Sequence, residues 1–216
     1  DGQMVYAFLL LAVQRRERIA DLVNKRMTAI GMEIIANDRG EAPIQEAMSQ
    51  IGGPMAVEMA ARFLQTSEGG RGILLGGLPG TAPAHVVIIG GGIVGTNAAY
   101  MALGMGANVT ILDTNIDRLR QLDDMLWVFR DGSFLPHAVF DGSAARPEPI
   151  LLGHGAEPQD CSDVLVNLSA EVPTWFGRFE RVAELVDGNE AQRTAARKRY
   201  SFYKDRGYTL NTHDIG

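Results

Sequence analysis

The sequence predicts an α/β fold with a mainly parallel sheet, and three observations support this prediction. Residues 86–113 have the pattern of a strand, a glycine-rich turn, a helix and a second strand, which is the βαβ unit of a parallel sheet. Further apolar strand candidates and helix candidates lie on both sides of this unit. Hydrophobic residues make up 46% of the 216 residues and charged residues 21%, a composition typical of globular proteins rather than disordered ones.

The elements before the βαβ unit are predicted from apolar periodicity. Residues 4–13, "MVYAFLLLAV", form an apolar run about half as long as a membrane-spanning helix, so a buried strand is favoured. Helical stripes of apolar residues follow, separated by a second strand candidate. The predicted elements are a strand over 4–12, a helix over 15–27, a strand over 28–35 and a helix over 47–64.

After the βαβ unit the chain changes to short strands and polar turns. A helix is predicted over 116–129, and its Asp117 favours the positive end of the helix dipole. The predicted strands are "HAVF", "PILLG", "DVLVNLS" and "RVAELV", with a short aromatic helix "TWFGRFE" before the last strand. A charged helix is predicted over 190–206. We find no internal repeat and no low-complexity tract.

Charge and cysteine content exclude some function classes. The formal net charge of −6 gives no reason to expect direct binding of nucleic acid. Cys161 is the only cysteine, so an intrachain disulfide is impossible and a reducing compartment, the cytoplasm, is expected. We expect no membrane association.

The turn "GGGIVG" within the βαβ unit predicts a dinucleotide site. Gly90 permits a tight exit from the strand, Gly92 lets the backbone approach a pyrophosphate, and Gly95 lets the helix pack closely on the strand. The helix that begins near Ile93 and Val94 directs free N–H groups at the phosphates. These features predict a Rossmann-like three-layer fold, since the motif becomes specific within a βαβ unit that ends in an acid.

Asp113 ends the second strand of this unit, 21 residues after Gly92. A carboxylate in this position accepts hydrogen bonds from the adenosine ribose hydroxyls and repels a 2′-phosphate. The sequence therefore predicts NAD as the cofactor in preference to NADP.

Residues 1 to about 124 resemble the central portion of bacterial alanine dehydrogenase. The matching stretches are "TAIGMEII", "PIQEAMSQIGGPMAVEMAARFLQ", "GGRGILLGGLPGTAP" and "VVIIGGGIVGTNAAYMALGMGANVTILDTNIDRLRQLDD". The resemblance implies an oxidoreductase in which hydride passes between NAD and the α-carbon of pyruvate's imine. An arginine, a lysine and a histidine of the family hold the substrate.

This resemblance also implies that the substrate chemistry is missing. The arginine and the lysine would lie before Asp1, and Leu10 of "FLLLA" stands where the family has the histidine of "YLHLA". The aspartate of the family's "DQGG" segment is not found either. We therefore expect a binding protein with weak or vestigial NAD binding. The alternative is an alanine dehydrogenase whose missing groups come from other chain segments.

Residues from about 119 to 213 resemble the chi subunit of bacterial DNA polymerase III. The matching stretches are "LDDMLWVFRDGSFLPHAVFDG", "PILLGHG", "DVLVNLSAEVPTWFGRFERVAELV" and "RTAARKRYSFYKDRGYTLNTH". Because "RLRQLDDMLW" suits both families, it is the expected junction of a chimera. The expected domains are a remnant of the dehydrogenase substrate domain (1–46), an NAD-binding half (47–124) and a chi-like half (125–216).

The predicted helix over 190–206 carries six basic residues against two acids, whereas residues 125–189 carry ten acids against four arginines. A basic helix with interleaved aromatic residues suits an acidic and aromatic ligand. In the chi family this helix resembles the site for the acidic, phenylalanine-ended tail of single-stranded-DNA-binding protein. The matching positions are Arg197, Tyr200 and Lys204, while Ser201 stands where a lysine is common. A solvated helix without a ligand is the alternative.

Other residues were weighed for chemistry. His137 and His154 have no second ligand at metal spacing, so no metal site is expected. Acids beside Cys161 should disfavour its thiolate, and no catalytic residue is predicted.

Trp127 and Trp175 are expected in the core or at a contact with the psi subunit, which the chi resemblance implies as a further partner. The apolar segment 4–12 would leave an exposed strand edge, so we expect either self-association through it, giving homo-oligomers, or its packing as an irregular arm.

Overall fold

The computed structural model of the protein describes residues 4–7, 16–128, 135–140, 142, 148–155, 157–186 and 190–213. The strands are β1 (Met4–Ala7), β2 (Thr28–Gly31), β3 (His85–Ile89), β4 (Asn108–Leu112), β5 (His137–Phe140), β6 (Ile150–Gly153), β7 (Val164–Asn167) and β8 (Arg181–Glu184). The helices are α1 (Arg16–Asn24), α2 (Pro43–Phe63), α3 (Ile93–Gly104), α4 (Ile116–Trp127) and α5 (Glu190–Asp205).

Six strands form one sheet in the order β5-β6-β4-β3-β7-β8, and every pair in it is parallel. The unit β3–α3–β4 lies at its centre, and β6 and β7 flank that unit on its two sides. This arrangement confirms the predicted α/β, Rossmann-like fold with a mainly parallel sheet. The sheet order reverses direction between β3 and β7, which is where ligands bind in such folds.

The chain divides into two compact units. One contains residues 50–185 and therefore the whole six-stranded sheet, and the other contains residues 1–49 and 186–216. Within the second unit, β1 and β2 form a separate two-stranded parallel sheet. Met4 of β1 is 54% exposed. The predicted strand over 4–12 is thus seen over Met4–Ala7, and Leu10 lies outside the described residues.

The core of the first unit consists of aliphatic side chains on the central strands. All side chains of the middle of β3 and β7 are buried, as expected for a parallel sheet whose strands are apolar on both faces. A hydrogen-bond network closes the amino ends of these strands. There Asp163 accepts from the backbone N–H of His85 at 2.8 Å and pairs with Arg71 at 3.2 Å.

Helix α2 begins four residues earlier than the sequence pattern predicts, at Pro43, because proline is favoured in the first turn of a helix. One of its two glycines, Gly53, serves close packing. A Cβ atom on Gly53 would collide with the Val94 carbonyl oxygen and lie 2.7 Å from the Ala98 nitrogen, so glycine lets α2 approach α3 closely. The predicted aromatic helix "TWFGRFE" is only a 3₁₀ turn over Phe176–Arg178.

Candidate functional site

The candidate cleft lies at the carboxyl end of β3, where the chain turns into α3. Gly90 follows β3 with a φ of 112°, a conformation that disfavours any residue with a Cβ atom. Its N–H donates to the Leu112 carbonyl at 2.7 Å, which ties the turn to β4. A Cβ atom on Gly95 would collide with the Gly90 carbonyl oxygen and lie 3.0 Å from its carbon. The turn therefore requires glycine at both positions.

The amino end of α3 is open. Gly92 is the N-cap residue, no side chain caps the helix, and a Cβ atom on Gly92 would meet no atom within 4 Å. The first N–H groups of a helix have no partner within the helix, so those after Gly92, on Ile93 and Val94, can donate to a ligand. Together with the positive end of the helix dipole, they make this position suitable for a phosphate.

Asp113 lies beside the turn, immediately after β4. Its Oδ2 accepts from the Gly91 N–H at 2.6 Å, and its Oδ1 accepts from the Asn115 N–H at 2.7 Å. The side chain is 4% exposed, and the more exposed Arg118 lies 3.8 Å from Oδ2. The structure thus brings Gly90, Gly92 and Asp113 together as the sequence predicts, but the carboxylate already accepts two backbone hydrogen bonds.

Leu168 forms the opposite wall of the turn. It follows β7, and its N–H donates to the Ile89 carbonyl at 2.9 Å. A Cβ atom on Gly90 would lie 3.1 Å from the Leu168 Cβ. Sequence reasoning missed this residue, because only the pairing of β7 with β3 brings the two segments together. The apolar run "DVLVNLS" ending in polar residues was the available signal.

A buried amide holds the segment after Leu168 in place. The Asn167 side chain is fully buried, and its Nδ2 donates to the Glu171 carbonyl at 3.0 Å and to Glu184 Oε1 at 2.9 Å. Its Oδ1 accepts from the N–H and the hydroxyl of Ser169. A network with every Asn167 group satisfied makes this wall of the cleft rigid.

His154, for which the sequence offers no second metal ligand, directly follows β6, and the residue is exposed. Its Nδ1 lies 3.1 Å from the carbonyl oxygen of Asp113. The histidine is therefore a neighbour of the predicted ribose carboxylate.

The predicted peptide-binding residues lie together on α5. Arg197, Tyr200 and Lys204 are all exposed, and Tyr200 is 48% exposed. Their spacing of three and four residues puts them on one helix face. Arg199 and Tyr203, on another face of the same helix, are buried.

An open depression of about 530 Å³ adjoins this face of α5. The Arg206 guanidinium lies 3.6 Å from the centroid of the Phe202 ring, a cation–π contact. The sequence identifies both residues as part of a basic helix with interleaved aromatic residues, but it does not place them in the predicted peptide site. The depression is lined by Thr194, Arg197, Lys198, Ser201, Phe202, Asp205 and Arg206.

The remaining candidates are placed as follows. Burial raises the pKa of Cys161 to about 11, with Asp160 and Asp163 adding to the effect and Arg178 opposing it. The sequence analysis named only the acids, whereas desolvation is the larger cause.

Trp127 is 56% exposed and meets the His137 ring edge to face at 4.8 Å. Trp175 is partly buried under the Arg178 guanidinium.

Two family models match the chain. Residues 96–211 match the family described as DNA polymerase III chi subunit, HolC. Residues 56–130 match the family described as alanine dehydrogenase/PNT, C-terminal domain. The two matches overlap over residues 96–130.

Curated relatives are alanine dehydrogenases. That of Methanococcus maripaludis is 48% identical over 125 residues, 58% of this chain and 33% of the relative. That of Bacillus subtilis is 48% identical over 124 residues, 57% of this chain and 32% of the relative. That of Halomonas elongata is 45% identical over 172 residues, 77% of this chain and 46% of the relative. The chain thus spans from about a third to about a half of the length of these relatives.

A solved structure of an L-alanine dehydrogenase also matches, with a TM-score of 0.56 and 26% sequence identity. The match covers 96% of this chain and 67% of the dehydrogenase chain. In the part of the chain that the structure describes, every helix is too short or too polar to cross a bilayer.

Proposed function

The chain belongs to the DNA polymerase III chi subunit family, and from this premise we propose that it is a non-catalytic binding protein. One part, matched by the alanine dehydrogenase model, binds NAD weakly. The other, helix α5, binds the acidic, phenylalanine-ended tail of single-stranded-DNA-binding protein. The proposed division is a remnant of a substrate domain over 1–46, a nucleotide-binding half over 47–124 and a chi-like half over 125–216.

The observation that carries the nucleotide-binding proposal is the geometry of the glycine turn. The amino end of helix α3 is open at Gly92, and the carboxylate of Asp113 lies beside the glycine turn. A pyrophosphate bound at the helix end would place the adenosine ribose towards Asp113. The similarity to alanine dehydrogenases supports NAD as the dinucleotide.

Weak binding is proposed for two reasons. The two oxygens of Asp113 already accept N–H groups of Gly91 and Asn115, so ribose hydroxyls must share these acceptors. The segments that would flank a nicotinamide ring belong to the chi match rather than to the dehydrogenase match. We expect an affinity nearer millimolar than micromolar, a difference of about 4 kcal/mol.

The absence of turnover is supported by Leu10, which stands where the dehydrogenase resemblance implies a histidine. A second candidate function is NAD-dependent alanine dehydrogenase, with the missing groups supplied by other chain segments. The 48% identity to alanine dehydrogenases favours this candidate.

One experiment separates the two candidates. Titration of NAD into the purified protein should give saturable, weak binding, and addition of L-alanine should give no NADH. Alanine-dependent NADH formation, followed at its absorbance, would establish the enzyme. Asp113→Ala should weaken binding of the adenosine part, and an unchanged affinity would assign the turn a structural role alone.

The peptide-binding proposal rests on the exposed face of α5. Arg197 and Lys204 can each contact a carboxylate, and Tyr200 lies between them to pack a phenylalanine ring. Charge-assisted hydrogen bonds contribute about 1.5–3 kcal/mol each before ordering costs. Two such contacts and one buried ring are consistent with micromolar binding, on the order of −8 kcal/mol.

A labelled tail peptide tests this site. Arg197→Ala should weaken binding, and higher salt should do the same because the contacts are near the surface. Arg39→Ala is the matched control, since it removes an equal charge from an exposed turn. Equal affinity of Arg197→Ala and Arg39→Ala would refute the site.

Further contacts are proposed for exposed apolar residues. Trp127 and its neighbour Val128 at the end of α4 offer a surface for the psi subunit. Met4 on β1 offers one for self-association. The cytoplasm is the proposed location, consistent with a sequence whose single cysteine, Cys161, can form no intrachain disulfide.

A further inference from the structure

The segment after β6 is fixed to the end of β4. In the parallel pair of β4 and β6, Leu112 lies opposite Gly153. The Asp113 N–H donates to the Gly153 carbonyl at 3.1 Å. His154 therefore occupies the same edge of the sheet as Asp113, one strand further from the glycine turn.

The imidazole of His154 is oriented by one hydrogen bond. Its Nδ1 lies 3.1 Å from the Asp113 carbonyl oxygen, which can only accept, so Nδ1 carries the proton and donates. In the neutral ring Nε2 is then an acceptor. Because the residue is exposed, a ligand at this edge can approach it.

Three consecutive strands thus present three different groups at one edge of the sheet. The glycine turn follows β3, Asp113 follows β4 and His154 follows β6. If phosphate binds at the turn and ribose at Asp113, the base attached to that ribose lies on the far side of Asp113 from the turn. This is the side on which His154 stands.

We infer that His154 binds the adenine base and favours adenine over guanine, an inference that rests on the proposed nucleotide binding. The 6-amino group of adenine can donate to Nε2, whereas guanine has a carbonyl oxygen there that would face an acceptor. His154 lies outside residues 56–130 and inside residues 96–211, so the chi-family match supplies a wall of a cleft whose turn belongs to the dehydrogenase match.

The test compares His154→Ala with the unaltered protein, using ADP-ribose, AMP, GMP and nicotinamide mononucleotide as probes. Calorimetric titration should show AMP and ADP-ribose binding about fivefold to tenfold more weakly to His154→Ala, the loss expected when one hydrogen bond between neutral groups is removed. Nicotinamide mononucleotide should bind both proteins equally. The preference of the unaltered protein for AMP over GMP should diminish in the variant.

Gln159→Ala is the matched control, because Gln159 is an exposed residue of the same loop. Thermal unfolding of all variants verifies that the fold is retained. Equal binding of AMP by His154→Ala and the control, or no preference for AMP over GMP in the unaltered protein, would overturn the assignment of His154. Failure of the unaltered protein to bind ADP-ribose would instead overturn the proposed nucleotide binding, and this inference with it.

Discussion

Substitution of Gly95 by alanine should destabilise the protein, although alanine is the better helix former. Gly95 lies in the first turn of α3, where the exchange would by itself favour the helix by up to about 1 kcal/mol. The added Cβ atom, however, would collide with the Gly90 carbonyl oxygen and lie 3.3 Å from Leu168 Cδ1. A backbone oxygen cannot rotate away, so the helix must move off the strand.

The size of the loss in the free energy of unfolding follows from these two opposing effects. Overpacking in a well-packed core costs about 1–3 kcal/mol, and a backbone collision belongs at the upper end of that range. After the helix propensity is subtracted, we expect a net loss of about 2 kcal/mol in the free energy of unfolding. For a protein of this size that corresponds to a Tm lower by roughly 4–8 °C.

Gly92→Ala is the matched comparison at the same turn. The φ of −76° and ψ of −169° suit alanine, and its Cβ would meet no atom within 4 Å. The poorer N-cap and the smaller entropy of the unfolded chain oppose each other, so the stability change should stay within about 0.5 kcal/mol. The methyl group would nevertheless stand where a pyrophosphate approaches, so ADP-ribose binding should weaken at least about tenfold.

Urea denaturation and calorimetric titration measure the two quantities separately. The expected pattern is that Gly95→Ala loses stability while Gly92→Ala loses binding at unchanged stability. A Gly95→Ala protein as stable as the unaltered one would refute the packing argument. A Gly92→Ala protein that binds ADP-ribose normally would refute the position of the phosphate.

Three further predictions concern pH and the α5 surface. Burial raises the pKa of Cys161 from 9.0 to about 11, so the thiol of the unfolded state ionises first as the pH rises. The free energy of unfolding should therefore fall between those two pH values, and Cys161→Ala should remove this slope in urea titrations. Burial lowers the pKa of His85 below 6.5, so on acidification the unfolded state binds a proton before the folded state does. The free energy of unfolding should therefore fall below that pH, and it should fall less in His85→Gln. Phe202→Ala should release the Arg206 guanidinium from its ring contact and weaken tail-peptide binding less than Arg197→Ala does, as measured by fluorescence anisotropy. An equal or larger loss would place the peptide against Phe202 and Arg206 rather than along Tyr200 and Lys204.

The centre of the fold could be predicted because its information is local. The βαβ unit over 86–113 combines apolar strands, a glycine turn and a helix within 28 residues, and β3, α3 and β4 appear there. Asp113 lies beside the turn for the same reason, since β3 and β4 are adjacent and in register. The start of α2 was misplaced, because the residues around Pro43 lack an apolar stripe while proline favours a first helical turn.

The walls of the cleft could not be predicted in this way. Leu168 and His154 reach the site through the order of strands, and a strand's own residues do not state which neighbour it pairs with. The same limit applies to Gly53. In the sequence a glycine at this position disfavours a helix, and only the structure shows that it lets α2 approach α3 closely. The internal hydrogen bonds of Asp113 depend on the conformation of the turn and were equally absent from the sequence pattern.

The central position of β3 determines what the deletion of either matched segment would do to the sheet. Residues 56–95, matched only by the dehydrogenase model, contain β3, and residues 131–211, matched only by the chi model, contain β5 to β8. Strand β3 is hydrogen-bonded to β7, and β4 to β6. Loss of either segment would strip the other of its partner strands and leave open, aggregation-prone edges. The two matched segments can therefore diverge in sequence, while their pairing through these strands keeps either one from being removed alone.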